Sequence, residues 1–231
     1  MNPLARRDPL LPALVSLTVL SGFVDAVSYL GLGHVFTANM TGNVVILGFA
    51  AAGAPGFSVT ASSTSLGAFV VGAVIGGRSN TAAVSRRARI LTALGAEAAL
   101  LLVAAVTASV MDVAEPAGRH LVIAFVALAM GLRNATVRSL AVPDLPTTVL
   151  TRTITGLAAD STLAGGTNPR AARRAAAVLG MALGACLGAL LLRHLGTAWP
   201  LLVTAVFVVV TATAYALHPG SRAYGDGRDT G

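Results

Sequence analysis

Lysine is missing from this 231-residue chain altogether, cysteine occurs once, and charged residues of every kind make up only 11%. Each shortage closes a class of explanation. A single cysteine, Cys186, allows neither an intrachain disulfide nor a cysteine-based metal site, so it reads as a small packing residue. Soluble domains carry about 25% charged residues, whereas here 55% are hydrophobic and the mean hydropathy is +0.78. The solvent for most of this chain is lipid. Catalytic signatures are missing as well: the sequence holds no Ser/His/Asp, HExxH, Walker or Rossmann arrangement, and His34, His120, His194 and His218 are scattered without metal-ligand spacing. The reading is of a chain that is not an enzyme and takes no metal and no cofactor.

What is present is a series of apolar runs about 20 residues long, the length that crosses a hydrocarbon core. Six lie near Leu10–Leu32, Ser63–Gly77, Ile90–Met111, Leu121–Leu140, Ala175–Leu192 and Trp199–Leu217. The first follows Arg6 and Arg7 as a signal peptide would. It continues too far and lacks a small-x-small cleavage site, so it is taken as a span. Two further stretches, Thr41–Ala54 and Thr147–Ala164, are too short or too polar to cross, the second carrying Thr151, Arg152, Thr153, Thr155 and Asp160. They are read as re-entrant half-helices.

The sixteen basic residues, all arginine, fix an orientation, because cytoplasmic loops collect positive charge. With both short stretches turning back, Arg6, Arg7, Arg78, Arg86, Arg87, Arg89, Arg138, Arg170, Arg173, Arg174, Arg222 and Arg228 fall on one side, and only Arg119 and Arg193 on external loops. A crossing at the first short stretch would put the Arg78–Arg89 cluster outside. The expectation is therefore a multi-pass membrane protein with both termini cytoplasmic. The Arg86-Arg87-x-Arg89 and Arg170-x-x-Arg173-Arg174 clusters suit anionic lipid heads in the bilayer rather than nucleic acid.

The chain also says nearly the same thing twice. Gly22-Phe23-Val24-Asp25-Ala26, then Thr37-Ala38-Asn39-Met40-Thr41, reappears as Gly131-Leu132-Arg133-Asn134-Ala135, then Thr147-Thr148-Val149-Leu150-Thr151. Asp25 and Asn134 are 109 residues apart, Thr41 and Thr151 110. Three crossings per copy is an odd number, so the second copy enters the membrane inverted. The expected fold is all-α: six transmembrane helices as two inverted three-helix repeats, each with a re-entrant half-helix. Residues 1–115 form the first repeat and 116–217 the second, with a disordered cytoplasmic tail over 218–231.

In such a fold the interrupted stretches carry the interest. Backbone that leaves a helix at membrane depth has unpaired N–H and C=O groups, so it must be buried in protein or line a wet cavity. Thr37, Asn39, Thr41 and Asn43 can satisfy such groups, and Thr41 is a natural cap for the following helix. In the second copy Pro143 and Pro146 stop a helix, and Thr147 or Thr148 can cap the next. Helix N-termini meeting near the bilayer centre favour an anion or a polar oxygen. This is the arrangement of parts in water channels, used only as an analogy.

Ionisable groups inside spans are costly and need a reason. Asp25, Glu97 and Arg133 are such groups. At about 1.5 Å per residue, Asp25 and Arg133 differ in depth by roughly 10 Å, whereas Glu97 lies at a depth Arg133 can reach. Glu97–Arg133 is therefore expected as a structural pair. Asp25, left without an obvious partner, becomes the candidate for a proton or cation relay. Gly72-x-x-x-Gly76 and Gly180-x-x-x-Gly184-x-x-x-Gly188 place small residues on one face of corresponding helices, expected to form a close central contact within one chain, a homodimer seam being the alternative. The sequons at Asn39 and Asn134 lie in buried passages and are set aside.

These same blocks, above all Gly33-His34-Val35-Phe36-Thr37-Ala38-Asn39-Met40-Thr41-Gly42-Asn43, resemble the YoaK-like family of bacterial inner-membrane proteins, over almost the whole chain. The resemblance implies a six-helix integral membrane protein of about this length and brings no activity, since the family is a domain of unknown function. The functional expectation rests on the residues: a small transporter or facilitator of a polar or anionic solute, its pathway lined by Asp25, Thr37, Asn39, Thr41, Asn43, Asn134, Thr147 and Thr151. The alternative is a non-transporting scaffold or partner-binding protein in which these groups only satisfy backbone.

Overall fold

The structure is a computed structural model and describes residues 10–82, 85–140, 150–168 and 171–223. Among the described residues all regular structure is helical: α1 (Leu10–Gly31), α2 (Met40–Ala51), α3 (Val59–Ala82), α4 (Arg86–Val110), α5 (Pro116–Ser139), α6 (Leu150–Ala159), a 3₁₀ turn (Thr162–Ala164), α7 (Ala171–Leu195), α8 (Ala198–Leu217) and α9 (Pro219–Ala223). Six of these, α1, α3, α4, α5, α7 and α8, are long and apolar enough to cross a membrane. With 12 and 10 residues, α2 and α6 rise about 18 and 15 Å, half of a hydrocarbon core.

Local chemistry sets the ends. Ser85 caps α4 by accepting from the Ala88 amide, and Pro116 opens α5 at a position where its missing N–H costs nothing. α3 begins four residues earlier than its hydropathy indicates, because Ser58 receives the Ala61 amide and Thr64 bonds back to the Thr60 carbonyl, which hides polar side chains within the helix. α2 stops at Ala51, before Gly53 at φ 79. α6 gives way to the 3₁₀ turn after Asp160, so the helical stretch expected to reach Ala164 is broken.

α1 and α5 are the most enclosed spans, and α4 packs on both α5 and α8. The core is built from Leu14, Val24, Val27, Leu101, Val126 and Met130 with their neighbours. Val70, Val71 and Val74 on α3 and Leu179, Leu183 and Leu187 on α7 are exposed, as a surface solvated by lipid tails requires.

The glycine stripes do not meet each other. A methyl group at Gly72 would strike the Leu128 carbonyl and one at Gly76 the Leu132 carbonyl, so α3 rides on α5 in the same sense. Likewise Gly184 lies on the Val19 carbonyl and Gly188 on that of Phe23, so α7 rides on α1, with Gly180 against the Val19 side chain. The expected contact between the two stripes is corrected to two separate contacts, each with the first long helix of the other half. Adding 109 to the α1 numbers and 112 to the α3 numbers turns one set into the other: Val19 becomes Leu128, Phe23 becomes Leu132, and Gly72 and Gly76 become Gly184 and Gly188. The reverse contacts obey the same shift, Gly22 under Met181 and Gly131 under Phe69.

One end of the bundle gathers the end of α1, the start of α5 and the turn between α7 and α8, since Gly31 abuts Leu192 and Thr197 and Gly33 abuts Arg119. At the other end Arg87 donates to the Ala216 carbonyl and to Ser221, tying the start of α4 to the end of α8.

Candidate functional site

The site grows from the break between α1 and α2. After Gly31 the chain turns through Gly33 and His34, at φ 88 and 58, a left-handed pair that reverses its direction. It then descends beside α1 until the Thr37 and Ala38 amides both donate to Asp25 Oδ1, at 3.1 and 2.8 Å. Asp25 is six residues before Gly31, so the segment after the turn lies back along α1 by about 9 Å. From there α2 climbs back: its far end lies by Gly53 and Gly56, and the Gly56 carbonyl faces His34 Nδ1 at 3.1 Å. Tyr29 and Phe57 pack against His34 at that end, with Phe36 stacked on Tyr29 and Phe49 against Phe57.

The exposed backbone of the break is satisfied by side chains. Asn43 accepts from the Phe36 amide at 2.8 Å and donates to the Phe36 carbonyl at 2.5 Å, so its carboxamide pairs with one peptide as a neighbouring strand would. Ser65 of α3 also donates to the Phe36 carbonyl, at 2.6 Å, and Asn43 donates to Ser65. Thr37 is buried and its hydroxyl donates to Ser28. Of the four side chains expected to perform this service, only Asn43 does so toward the broken backbone. Asn39 occupies the cap position of α2 without a side-chain bond, and Thr41 is a solvent- or lipid-exposed residue inside the helix rather than its cap. The cap expectation fails because the cap position lies two residues earlier, at Asn39, so Thr41 falls in the first turn.

Asp25 itself is corrected in the same way. It was expected to lack a partner, yet Oδ1 has two backbone donors, while Oδ2 is buried with no hydrogen-bond partner. Electrostatically this matters: the N–H groups leading into α2 already donate to a carboxyl, so they are not free to hold an incoming anion. The first break is suited to a donor, not to an anion.

One to two turns below, Arg133 of α5 crosses the bundle centre. It donates from Nε to Glu97 Oε1 at 2.9 Å and pairs through Nη2 with the same oxygen, while Nη1 reaches the Leu17 carbonyl at 3.2 Å and Ser21 Oγ at 3.1 Å. Both ionic side chains are fully buried. One guanidinium thus joins α5, α4 and α1. Leu17, Ser21, Ser28 and Ser65 are members of the site absent from the sequence reading. A signal existed for part of it: Thr18, Ser21, Asp25 and Ser28 fall at three- and four-residue spacing on one face of α1, and all four are buried.

The second break is less completely described. Thr147 and the segment before α6 lie outside the described residues. Asn134, half-buried, adjoins Arg133 on α5, and Thr151 is exposed on α6, away from the groups around Asp25, while Thr153 is the buried threonine there. α6 is fastened to α7 by Arg174, which donates to the Gly156 carbonyl at 2.7 Å and to Asp160 at 2.6 Å.

A family described as "Protein of unknown function (DUF1275)" matches residues 13–214. The chain is 37% identical over 165 residues to the UPF0700 transmembrane protein YoaK of Bacillus subtilis (strain 168), covering 69% of each. No solved structure matches.

Proposed function

We propose that this chain, an integral membrane protein that belongs to the DUF1275 family, is a facilitator or transporter of a small polar solute, with its pathway beside the broken segment between α1 and α2. The single observation that carries this reading is the open oxygen of Asp25: a buried carboxyl, one side fully hydrogen-bonded to re-entering backbone, the other side unanswered. Glu97 also has a buried oxygen without a hydrogen-bond partner, but its other oxygen is paired with the Arg133 guanidinium, whereas Asp25 has no ion pair among the described residues. The solute this geometry accepts bears hydrogen-bond donors and is neutral or positively charged; the anionic option loses ground to the carboxyl already in place.

Supporting the reading is the architecture. The matched contacts of α3 on α5 and of α7 on α1 support two copies of one unit, and the shared direction within each pair supports an antiparallel relation between them, as in inverted-repeat transporters. The descent to Asp25 followed by the short climb of α2 supports a re-entrant half-helix, with α6 as its counterpart. In this arrangement the arginines at 78, 86, 87, 89, 138, 173 and 174 face the cytoplasm and those at 119 and 193 the outside, in a bacterial inner membrane, and the protein performs no covalent chemistry.

The competing reading, a scaffold, has one observation in its favour: Asn43 and Ser65 are occupied with the Phe36 peptide and with each other. Reconstitution decides. Proteoliposomes carrying the protein should shrink and reswell faster than empty ones in osmotic steps with small donor-bearing solutes, and Asp25→Leu should abolish the difference. Equal rates with and without protein across neutral, cationic and anionic solutes would transfer the assignment to the scaffold.

A further inference from the structure

Three charged side chains are buried among the described residues, Asp25, Glu97 and Arg133. Two are acids and one is a base. Ionised together they leave one negative charge inside a bundle surrounded by lipid, where an unbalanced charge is too costly to keep. Arg133 is committed to Glu97 through two of its nitrogens. Asp25 is answered by neutral backbone amides, Thr37 and Ala38 donating to Oδ1, which hydrogen-bond its carboxyl without cancelling its charge. Its remaining oxygen has no protein partner.

We propose that Asp25 Oδ2 is the seat of one exchangeable monovalent cation, a proton or an alkali ion such as Na⁺, that neutralises the buried charge. The chemistry allows exchange without rearrangement. In either state Oδ1 continues to accept from Thr37 and Ala38, and only Oδ2 changes its occupant, so loading and unloading leave the broken segment in place. Other ionisable groups around α1 do not perform this service. Arg173, Arg174, Arg193 and His194 are in the first and last turns of α7, Cys186 is exposed, Tyr215 and His218 close α8, Tyr29 stacks on Phe36, and His34 turns to Gly56. Arg133 is the charge whose field reaches Asp25. The site deepens the proposed function by naming the ion that accompanies the solute, and it rests on that reading only for its purpose.

The test uses the full chain in lipid nanodiscs. Infrared difference spectra are recorded across a pH series without alkali ions, then at fixed pH with Na⁺ or K⁺ added, on the native chain and on Asp25→Asn. The asparagine keeps an oxygen for the two amides and imitates the neutral state, so it folds. A protonated-carboxyl band that titrates, corresponds to one group per chain and is lost in Asp25→Asn identifies the ion as a proton. Absence of that band together with stoichiometric Na⁺ or K⁺ binding by calorimetry, again lost in Asp25→Asn, identifies an alkali ion. An Asp25 that stays ionised throughout and binds neither ion, or signals that survive in Asp25→Asn, overturn the proposal. Solute flux is read separately: ion binding without flux removes transport and leaves the site standing, and flux with an empty, ionised Asp25 does the reverse.

Discussion

Removing either partner of the Glu97–Arg133 pair should cost far more than removing both. Glu97→Met leaves the guanidinium without its counter-charge; Arg133→Met leaves the carboxylate alone. Breaking a buried pair from one side costs about 3–5 kcal/mol, and a charge at the centre of a membrane helix about 2.5–3.5, so about 3 kcal/mol is expected of each. That corresponds to about a 150-fold fall in the folded-to-unfolded ratio. In Glu97→Met/Arg133→Met no charge is stranded. Ser21 still donates to the Leu17 carbonyl at 3.0 Å, so loss of the guanidinium leaves that pair satisfied. The double variant should lie within about 1 kcal/mol of the parent, since hydrophobic replacement of a buried pair is close to neutral. Unfolding by titration with sodium dodecyl sulfate in mixed micelles, followed by circular dichroism, gives all four corners of the cycle. Single variants costing under about 0.5 kcal/mol, or a double variant equal to their sum, would refute the view that the centre is held by compensated charge.

Asn43→Leu, which keeps size but strips both bonds from the Phe36 peptide, should destabilise by about 2–4 kcal/mol in the same titration, because one buried donor and part of one acceptor lose their partners. Gly72→Val and Gly184→Val, each driven into carbonyl oxygens of the paired helix, should each cost about 1–3 kcal/mol, whereas Gly67→Ala and Gly95→Ala, with open space around them, should change nothing measurable in a thermal-shift assay. Reporter fusions at Arg86 should behave as cytoplasmic and those at Glu115 as external; the opposite result at Arg86 would undo the inverted arrangement. Arg174→Ala should raise hydrogen exchange selectively in α6, since its bonds to Gly156 and Asp160 are lost while the main bundle is untouched.

How far the sequence could be read depended on whether a feature is set by the helix itself or by a neighbour. The six spans follow from apolar run length, and the depth of Glu97 relative to Arg133 follows from a constant rise per residue, so both are legible in the sequence. Asp25 was not. Its partners are two amides 12 and 13 residues further on, and backbone donors leave no signature in a list of side chains. The glycine stripes showed that something packs closely, but small residues on one face do not say which helix arrives. Thr41 misled because the cap position falls on Asn39, which puts Thr41 inside the first turn of α2, where its side chain can cap nothing.

The exchanged pairing of helices has a consequence for how this protein is made. α7 seats against α1, and α3 against α5, so neither half holds the surface that covers its own glycines. As the chain leaves the ribosome, α1 must wait in the bilayer for a segment more than 150 residues downstream to arrive. A fragment ending after α4 is therefore not a smaller version of the protein but an open clasp, ready to close on another fragment of its own kind.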